Sequence, residues 1–306
     1  MFVISGVTGN TGSVVAQTLL DQGQPIRVIV RSKEKGAPWK AKGAEVVVAD
    51  MMDRDALSQA LAGASGAYFL LPPDLTNDDF LGDSRKRAEA IVQAAAAARL
   101  PHAVILSSVG AQHEDRVGPI STVAHLEKLF LAASIPLTAI RPGYFLENIR
   151  DMMPAVLHDG VYPSMILPLD LKIDMVATRD IGLTVAEALI DPPMVAHRVI
   201  ELKGAEQYSA KDIAAALSKS LDREIMAVPV PQEAWVDVLK ESGLSPQSAE
   251  TMAEMHENIN NGRIDFLNPN ARKARITLSS FVQAMVAEYD DPEMPKTLAE
   301  PLVSAR

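Results

Sequence analysis

A glycine-rich segment near the start of the chain has the spacing of a phosphate-binding turn. Gly6, Gly9 and Gly12 lie between a short apolar run (residues 1–5) and a segment with helical apolar spacing (residues 13–20). This order lets backbone N–H groups approach an anion without an intervening Cβ, at the positive end of a helix dipole. The G-x-x-G-x-x-G spacing differs from the common G-x-G-x-x-G, and similar turns occur without a ligand. We expect dinucleotide binding here. The contacting residues are Gly6, Thr8, Gly9, Asn10, Thr11 and Gly12.

Arg31 follows the second apolar run and selects between the two nicotinamide dinucleotides. Residues 25–30 predict a strand, and Arg31 comes directly after it. An NAD-preferring site usually carries Asp or Glu about 20 residues after the glycines. Arginine instead offers planar donors to a 2′-phosphate, and Lys33 and Lys35 add positive charge. We therefore expect NADP, with NAD the less favoured cofactor. The alternative interpretation is a solvated arginine at a strand end.

The elements that position these residues alternate between strand and helix. The predicted strands cover residues 1–5, 25–30, 44–49, 67–71, 102–106 and 137–141, and residues 32–43 are expected to form a basic loop. Alternation of this kind predicts a parallel sheet with right-handed crossovers, which collects ligands at the carboxyl ends of its strands. The fold class is therefore α/β, a Rossmann-type doubly wound sheet.

The alternation of strands and helices ends in the second half of the chain, and the pattern there predicts a smaller, helix-rich lobe. We expect a dinucleotide-binding domain over residues 1–146 and a substrate lobe over 147–306. The chain is expected to return to the main sheet, with residues 173–178 and 199–202 both candidates for added strands. The proline-containing tail after residue 289 is expected to be loosely held.

Composition excludes several classes of protein. The 306 residues are enough for a large α/β domain and a smaller lobe. A net charge of −10 disfavours sequence-independent binding to nucleic acid, and no apolar run reaches the ~18–20 residues of a membrane helix. The chain has no cysteine, which excludes disulfides, thiol catalysis and thiolate metal sites. The first strand begins without a basic region before it, so we expect no signal peptide and a cytoplasmic protein.

Several stretches together resemble the NmrA-like branch of the atypical short-chain dehydrogenases/reductases. They are residues 6–12, 28–31, 107–108, 124–128 and 140–148. The last, I-R-P-G-Y-F-L-E-N, is far more specific than the glycine motif, and the likeness covers nearly the whole chain. The family includes NADPH-dependent quinone and dye reductases, and members that bind NADP and regulate a partner protein without known turnover. The resemblance implies the fold and the cofactor more strongly than the activity.

The Tyr-x-x-x-Lys motif of standard short-chain dehydrogenases is absent, because none of the five tyrosines has lysine four residues later. The family's quinone reductases often have a histidine in this segment. The resemblance therefore implies that His125 lines the nicotinamide pocket, although its offset from Lys128 differs from the usual spacing. Lys128 would then contact the ribose. The alternative is a helix with a half-exposed His125 and a solvated pair of Glu127 and Lys128.

Two groups at the predicted strand ends are candidates for the nicotinamide side. Tyr144 and Phe145 follow the sixth strand, where they would line the nicotinamide and the acceptor or pack between the lobes. A hydroxyl of Ser107 or Ser108 could bond the carboxamide or an acceptor carbonyl, or cap the following loop. Pro142 ends the sixth strand beside them.

Residues for the adenosine side end the third and fourth strands. Asp50 would accept a hydrogen bond from the adenine amino group, with Met51 stacking nearby, or it would simply close a turn. The backbone of Leu70, Leu71 and Pro72 would cover the adenosine ribose. The six histidines lack metal-ligand spacing, so no metal site is predicted.

Two functions of different classes are the main candidates, and an epimerase or an ether-type reductase is a further alternative. The first is an NADPH-dependent reductase that transfers hydride to a quinone-like or dye-like small molecule, with the proton from water or His125. The second is an NADP-binding redox sensor that changes its interaction with a protein partner. The missing tyrosine favours the sensor, and the apolar second lobe favours the enzyme. The sequence does not indicate an oligomeric state.

Overall fold

Strands and helices alternate through the first half of the chain. The computed structural model describes residues 1–113 and 115–289. The first-half elements are β1 (Phe2–Ile4), α1 (Asn10–Asp21), β2 (Ile26–Val30), α2 (Lys33–Ala41), β3 (Glu45–Val48), α3 (Arg54–Leu61), β4 (Gly66–Phe69), α4 (Phe80–Ala97), β5 (Ala103–Leu106), α5 (Ile120–Ala132) and β6 (Leu137–Pro142). The six predicted strands are therefore present.

The second half has short strands and a larger share of helix. Its elements are β7 (Tyr144–Phe145), a 3₁₀ helix (Leu146–Met152), α6 (Met153–Asp159), β8 (Val161–Ser164), β9 (Ile173–Val176), α7 (Thr178–Ile190), β10 (His197–Lys203), β11 (Gln207–Tyr208), α8 (Ala210–Leu221), β12 (Met226–Pro229), a second 3₁₀ helix (Gln232–Ala234), α9 (Trp235–Glu241), α10 (Pro246–Asn260), β13 (Arg272–Lys273) and α11 (Leu278–Tyr289). The tail predicted to be loosely held, residues 290–306, lies outside the described residues.

One parallel sheet of eight strands organises the molecule, in the order β13-β10-β6-β5-β4-β1-β2-β3. Helices cover both of its faces. On one face α1 and α7 pack on the strands through residues such as Leu19 and Val185. On the other, α3, α4 and α5 pack through residues such as Leu57, Ile91 and Phe130. Burial on both faces explains why the central strands are continuously apolar. The predicted Rossmann-type doubly wound α/β fold is confirmed.

A smaller lobe rests on the carboxyl edge of this sheet. A three-stranded sheet (β11-β9-β7) and a two-stranded sheet (β12-β8) surround a separate apolar cluster. Helices α8 and α11 contribute Ile213, Leu217, Val282 and Met285 to that cluster. Within the described residues, no helix combines the length and the apolar character needed to cross a membrane.

Two expectations about this architecture were wrong. Residues 33–41 form helix α2 rather than a loop, because Ser32 caps the helix by accepting from the Lys35 N–H and because Trp39 is buried against the sheet. Residues 173–176 do not join the main sheet. They form β9, which pairs with β7 and β11. The return to the main sheet is made by β10, which pairs with β6 along six residues.

Candidate functional site

The turn between β1 and α1 is shaped by positions that accept only glycine. Gly6 has φ +67°, in the left-handed region that L side chains rarely adopt. The Gly9 N–H donates to the Gly6 carbonyl oxygen at 2.9 Å. A Cβ on Gly12 would lie 2.8 Å from the Ser5 carbonyl oxygen and closer still to that of Gly6. Helix α1 therefore begins in direct contact with the backbone of Ser5 and Gly6, which directly follow β1.

The N-terminus of α1 leaves donors available for an anion. Gly9 is the N-cap residue and supplies no side-chain cap, and the first helical bond is from Ser13 N–H to the Gly9 oxygen. The N–H groups of Asn10, Thr11 and Gly12 precede that bond and have no partner in the helix. Thr8, Gly9 and Asn10 are exposed. The arrangement fits a pyrophosphate, because a bare glycine backbone and a helix N-terminus face the same space.

The side chain of Thr11 has a different role from its backbone. Its hydroxyl bonds the buried hydroxyl of Tyr68 in β4 at 3.0 Å. This bond connects α1 with β4, so the Thr11 hydroxyl has a structural role. The prediction that Thr11 contacts the cofactor rests on its N–H group.

Arg31 lies at the carboxyl end of β2 and is exposed. Within the described part of the chain, its guanidinium makes no hydrogen bond or ion pair. Ser32 follows as the cap of α2, so the positive end of this helix lies next to Arg31. An unpaired guanidinium and a helix N-terminus at one strand end fit a phosphate group beyond the pyrophosphate.

The residues predicted for the adenosine side lie at neighbouring strand ends. Asp50 is exposed after β3, and one of its carboxylate oxygens accepts from the Met52 N–H at 2.8 Å. Leu70 packs directly over Gly6, where an added Cβ would collide with it. The carbonyl of Pro72 accepts from Arg87 at 2.9 Å, so that oxygen is already bonded. Met51 and Leu71 are half-buried against the apolar cluster under α3 and α4.

Ser107 belongs to a buried polar network at the ends of β5 and β6. Its hydroxyl donates a short hydrogen bond to Glu127 in α5. Glu127 also receives two bonds from Arg141 in β6, Nε to Oε1 at 3.0 Å and Nη2 to Oε2 at 2.7 Å. All three residues are less than 10% exposed. The interpretation of Glu127 and Lys128 as a solvated pair was therefore wrong for Glu127.

Ser108 and Pro142 complete this part of the strand edge. The Ser108 hydroxyl donates to the Val109 carbonyl at 3.0 Å, and the Pro142 carbonyl accepts from the Val109 N–H at 3.0 Å. Lys128 is exposed on α5, one residue after Glu127. Their predicted cofactor contacts stay predictions.

Tyr144 follows this edge and contacts the smaller lobe. Its ring makes an edge contact with His256 in α10, with centroids 6.3 Å apart, and His256 makes a similar contact with Trp235 at 6.2 Å. Burial raises the pKa of Tyr144 to about 12, while a hydrogen bond with Asn148 opposes that rise. The phenol is therefore neutral at ordinary pH and can donate a proton in a hydrogen bond. Asp151, one 3₁₀ turn beyond Asn148, has its pKa raised to about 6 by desolvation.

Glu147 and Asn148 of the Y-F-L-E-N stretch have different partners. The Asn148 side chain bonds the Tyr144 hydroxyl. The Glu147 carboxylate accepts from the N–H of Thr178 at 3.0 Å and from its hydroxyl at 2.6 Å. Burial raises the pKa of Glu147, and the bonds from Thr178 oppose that rise. Glu147 therefore holds the segment after β6 against the start of α7.

His256 is a residue that the sequence analysis did not select. It is 6% exposed, and its Nδ1 lies 2.9 Å from the Met252 carbonyl oxygen. A carbonyl only accepts, so Nδ1 is the donor in this hydrogen bond. Burial lowers the pKa of His256. A single histidine on an amphipathic helix gives no sequence signal for this contact, because Tyr144 lies more than 100 residues away.

Helix α10 covers the strand ends from the second lobe. Gly118, before α5, lies against the backbone of Thr251, and Met255 packs in the cluster that includes Ala124. At its other end, the Gln247 side chain accepts from the Leu81 N–H at 3.0 Å. The helix therefore connects the start of α4 with the start of α5, above the carboxyl ends of β4 and β5.

His125 lies on a different face of α5 from Ala124 and Glu127. Burial lowers its pKa, and the charges that act on it include Arg85 and Glu89 of α4. Its Nε2 is buried and has no hydrogen-bond partner among the described residues. The structure does not bring His125 into contact with Tyr144. Its catalytic role stays a prediction without a supporting contact.

No group of three or more His, Asp or Glu side chains that could hold a metal ion occurs among the described residues.

Two curated relatives that match most of this chain at low identity carry the names of reductases. The NAD(P)H azoreductase of Xenophilus azovorans is 23% identical over 257 residues, which cover 84% of this chain and 86% of the relative. Quinone oxidoreductase 2 of Escherichia coli strain K12 is 27% identical over 256 residues, covering 83% and 86%.

Solved structures share the fold. An NADPH-dependent quinone oxidoreductase from Escherichia coli complexed with NADPH matches with a TM-score of 0.81 and 24% identity, covering 94% of this chain and all of that one. The triphenylmethane reductase of Citrobacter sp. complexed with NADP(H) matches with a TM-score of 0.79 and 21% identity, covering 93% and 99%. The family model described as "NmrA-like family" matches residues 1–285. The chain therefore belongs to the NmrA-like family.

Proposed function

We propose that this protein is an NADPH-dependent oxidoreductase that transfers hydride to a quinone-like, azo or dye-like small molecule. The observation that carries the proposal is the pair of anion sites at the ends of β1 and β2. The glycine turn presents bare N–H groups at the start of α1, and Arg31 stands unpaired within the described residues at the next strand end. These two sites match the pyrophosphate and the 2′-phosphate of NADP.

The relatives support the choice of acceptor class. The two curated relatives carry the names of an azoreductase and a quinone oxidoreductase. Azo compounds and quinones accept two electrons readily. Such acceptors place a small demand on the protein, which has to hold the acceptor against the cofactor and exclude competing reactions.

The acceptor side would be formed by Tyr144 and the helix above it. Tyr144 is half-buried after β6, and its hydroxyl proton is retained because the pKa of the phenol is raised to about 12. A neutral phenol donates a hydrogen bond to an acceptor oxygen or nitrogen. The Tyr144 ring contacts the ring of His256, and His256 contacts the ring of Trp235, so tertiary packing fixes the position of the Tyr144 ring.

Reduction of a quinone by NADPH requires a proton from a second source. NADPH supplies a hydride, which is two electrons and one proton, so conversion of a quinone to a hydroquinone needs one further proton. Tyr144 holds a hydrogen bond to the atom that gains charge, and water delivers the proton. This division explains how the protein works without a Tyr-x-x-x-Lys acid.

The alternative function is an NADP-binding redox sensor with little or no turnover, acting on a protein partner. The glycine turn and Arg31 serve this function equally well. The absent Tyr-x-x-x-Lys motif favours it. The two functions differ in one measurable property, which is turnover in the presence of an acceptor.

The test is a turnover assay with pure protein. NADPH is mixed with a panel of benzoquinones, naphthoquinones and an azo dye, and the absorbance of the reduced nicotinamide is followed. We expect acceptor-dependent loss of absorbance with NADPH and a slower loss with NADH. Tight NADPH binding without turnover on any acceptor would contradict the reductase and support the sensor.

A further inference from the structure

We propose that Glu127 fixes the direction of the Ser107 hydroxyl, so that Ser107 acts only as a hydrogen-bond acceptor toward bound cofactor. The group that it recognises is then the amide N–H₂ of the nicotinamide carboxamide. This inference rests on the proposed function, because it requires NADP to bind at the ends of β5 and β6.

The charge state of Glu127 follows from its contacts. Arg141 donates to both carboxylate oxygens, at 3.0 and 2.7 Å, in the bidentate geometry of a guanidinium and an ionised carboxylate. The pair is buried, with Glu127 4% exposed and Arg141 8% exposed. An ionised carboxylate has no proton and can only accept. Ser107 is therefore the donor in its bond with Glu127.

A serine hydroxyl has one proton and two lone pairs. The proton of Ser107 is used by Glu127, so only lone pairs are left for any other partner. Rotation of that proton toward a ligand carbonyl would remove one of the two hydrogen bonds that the buried Glu127 Oε1 accepts and leave only the bond from Arg141 Nε, which is unfavourable. The hydroxyl thus has a fixed polarity. Glu127 and Arg141 are positioning residues in this scheme, since they act through Ser107.

The polarity has a consequence for recognition. Ser107 directly follows β5, and its N–H donates to the Ile140 oxygen of β6 at 2.8 Å, so the residue sits where the carboxyl ends of two central strands meet. A carboxamide offers two N–H donors, whereas an acetyl group in the same position offers none. Ser107 should therefore distinguish NADP from its 3-acetylpyridine analogue, in which a methyl group replaces the amide nitrogen.

The experiment is a calorimetric titration of the full chain with oxidised NADP and with the 3-acetylpyridine analogue. The wild type is expected to bind NADP more tightly by roughly threefold to tenfold, the range of one hydrogen bond. In Ser107→Ala the preference should fall toward one. Ser164→Ala is the matched control, because Ser164 is also buried and hydrogen-bonded but lies in β8 of the smaller lobe. It should keep the wild-type preference.

A second variant tests the role of the ion pair. Glu127→Leu combined with Arg141→Met replaces both charges by apolar side chains, a change that buried ion pairs often tolerate. Ser107 then regains a free proton, which can be donated to the carbonyl of either ligand. The preference for NADP should shrink although Ser107 is still present. If Ser107→Ala does not fold, the preference of the double variant tests the inference. If the double variant does not fold, the preference of Ser107→Ala tests it.

The outcomes separate the inference from the proposed function. A wild type that binds neither ligand overturns the proposed function and the inference together. A wild type that binds NADP but shows no preference, or a folded Ser107→Ala that keeps the full preference, overturns the inference alone. A preference that is lost in Ser107→Ala and retained in Ser164→Ala supports it.

Discussion

The two sides of the candidate site are built in different ways. The proposed phosphate side consists of the turn at residues 6–12 and Arg31, which belong to one strand–helix–strand unit. The acceptor side joins Tyr144 after β6 with His256 in α10 and Trp235 in α9, which come together only through tertiary packing. The residues of the proposed phosphate side can therefore be predicted from local sequence, whereas on the proposed acceptor side only Tyr144 can.

The largest effect is expected from Gly12→Ala. The new Cβ would press on backbone oxygens of Ser5 and Gly6, which cannot move without displacing β1. We expect a loss of ~1–3 kcal/mol of unfolding free energy, as for other overpacked positions, and loss of detectable NADPH binding. Urea unfolding and calorimetry measure the two effects. Gly66→Ala in β4 is the control, because the nearest atoms to its Cβ lie at 3.4 Å. NADPH binding that is retained in Gly12→Ala would contradict the proposal that this turn binds the pyrophosphate.

Arg31→Glu tests cofactor selection on the same side. The variant replaces a charged donor by a repelling carboxylate, and a hydrogen bond to a charged group is worth ~1.5–3 kcal/mol. NADPH binding should therefore weaken by about 10- to 100-fold, while NADH binding stays unchanged. Titrations with both cofactors measure the ratio. Arg99→Glu is the control, since Arg99 is an exposed arginine after α4. Equal loss for both cofactors would show that Arg31 is not the selector.

Tyr144→Phe probes the acceptor side. Removal of the hydroxyl takes away one neutral hydrogen bond, so kcat/KM for a quinone should fall by about threefold to tenfold. The Kd for NADPH should not change. Tyr208→Phe is the control, because the Tyr208 hydroxyl accepts from the Leu278 N–H inside the smaller lobe. A fall in NADPH affinity with unchanged kcat/KM would indicate that Tyr144 contacts the cofactor rather than the acceptor.

Acidification should loosen the acceptor side before the phosphate side. Burial lowers the pKa of His256, so the folded state favours the neutral imidazole. The resulting stability is present above the unfolded-state pKa of about 6.5 and is lost as pH falls below it. Hydrogen exchange at pH 7.5 and pH 5 should therefore show faster exchange in α10 at the lower pH, after correction for the intrinsic rate. His256→Gln should remove the difference. Equal change in α1 and α10 would contradict a local effect.

The smallest effect is expected from His125→Ala. This side chain faces α4 rather than Tyr144, with Arg85 and Glu89 among the charges that act on it. We expect turnover within about twofold of the wild type, as for substitutions outside a functional contact. The kcat with a quinone across pH 6–8 is the measurement. A large, pH-dependent fall would support the predicted catalytic role of His125.

The parts of the fold that local chemistry specifies were predictable. Glycines at Gly6 and Gly12, apolar runs and proline-bounded strands indicated the doubly wound sheet, and the structure contains it. Helix α2 was missed because Gly36 and Pro38 both disfavour helix, and burial of Trp39 with the Ser32 cap overrides that preference. Residues 173–176 look like any short apolar strand, so the sequence does not show which sheet they join.

The site was less predictable than the fold. Glu127 stands beside Lys128 on a helix, a pattern typical of a solvated pair, and only the packing of α5 against β6 brings Arg141 to it. His256 contacts Tyr144 across more than 100 residues of sequence. Both residues depend on long-range contacts, which periodicity and motif spacing do not encode.

The most direct test of the central claim is a calorimetric titration of the wild-type protein with NADPH and with NADH. We expect NADPH to bind at least tenfold more tightly, because Arg31 and the N-terminus of α2 would face the additional phosphate. Equal affinity for the two cofactors would remove Arg31 from the site, and absence of binding to both would contradict the reductase and the sensor alike.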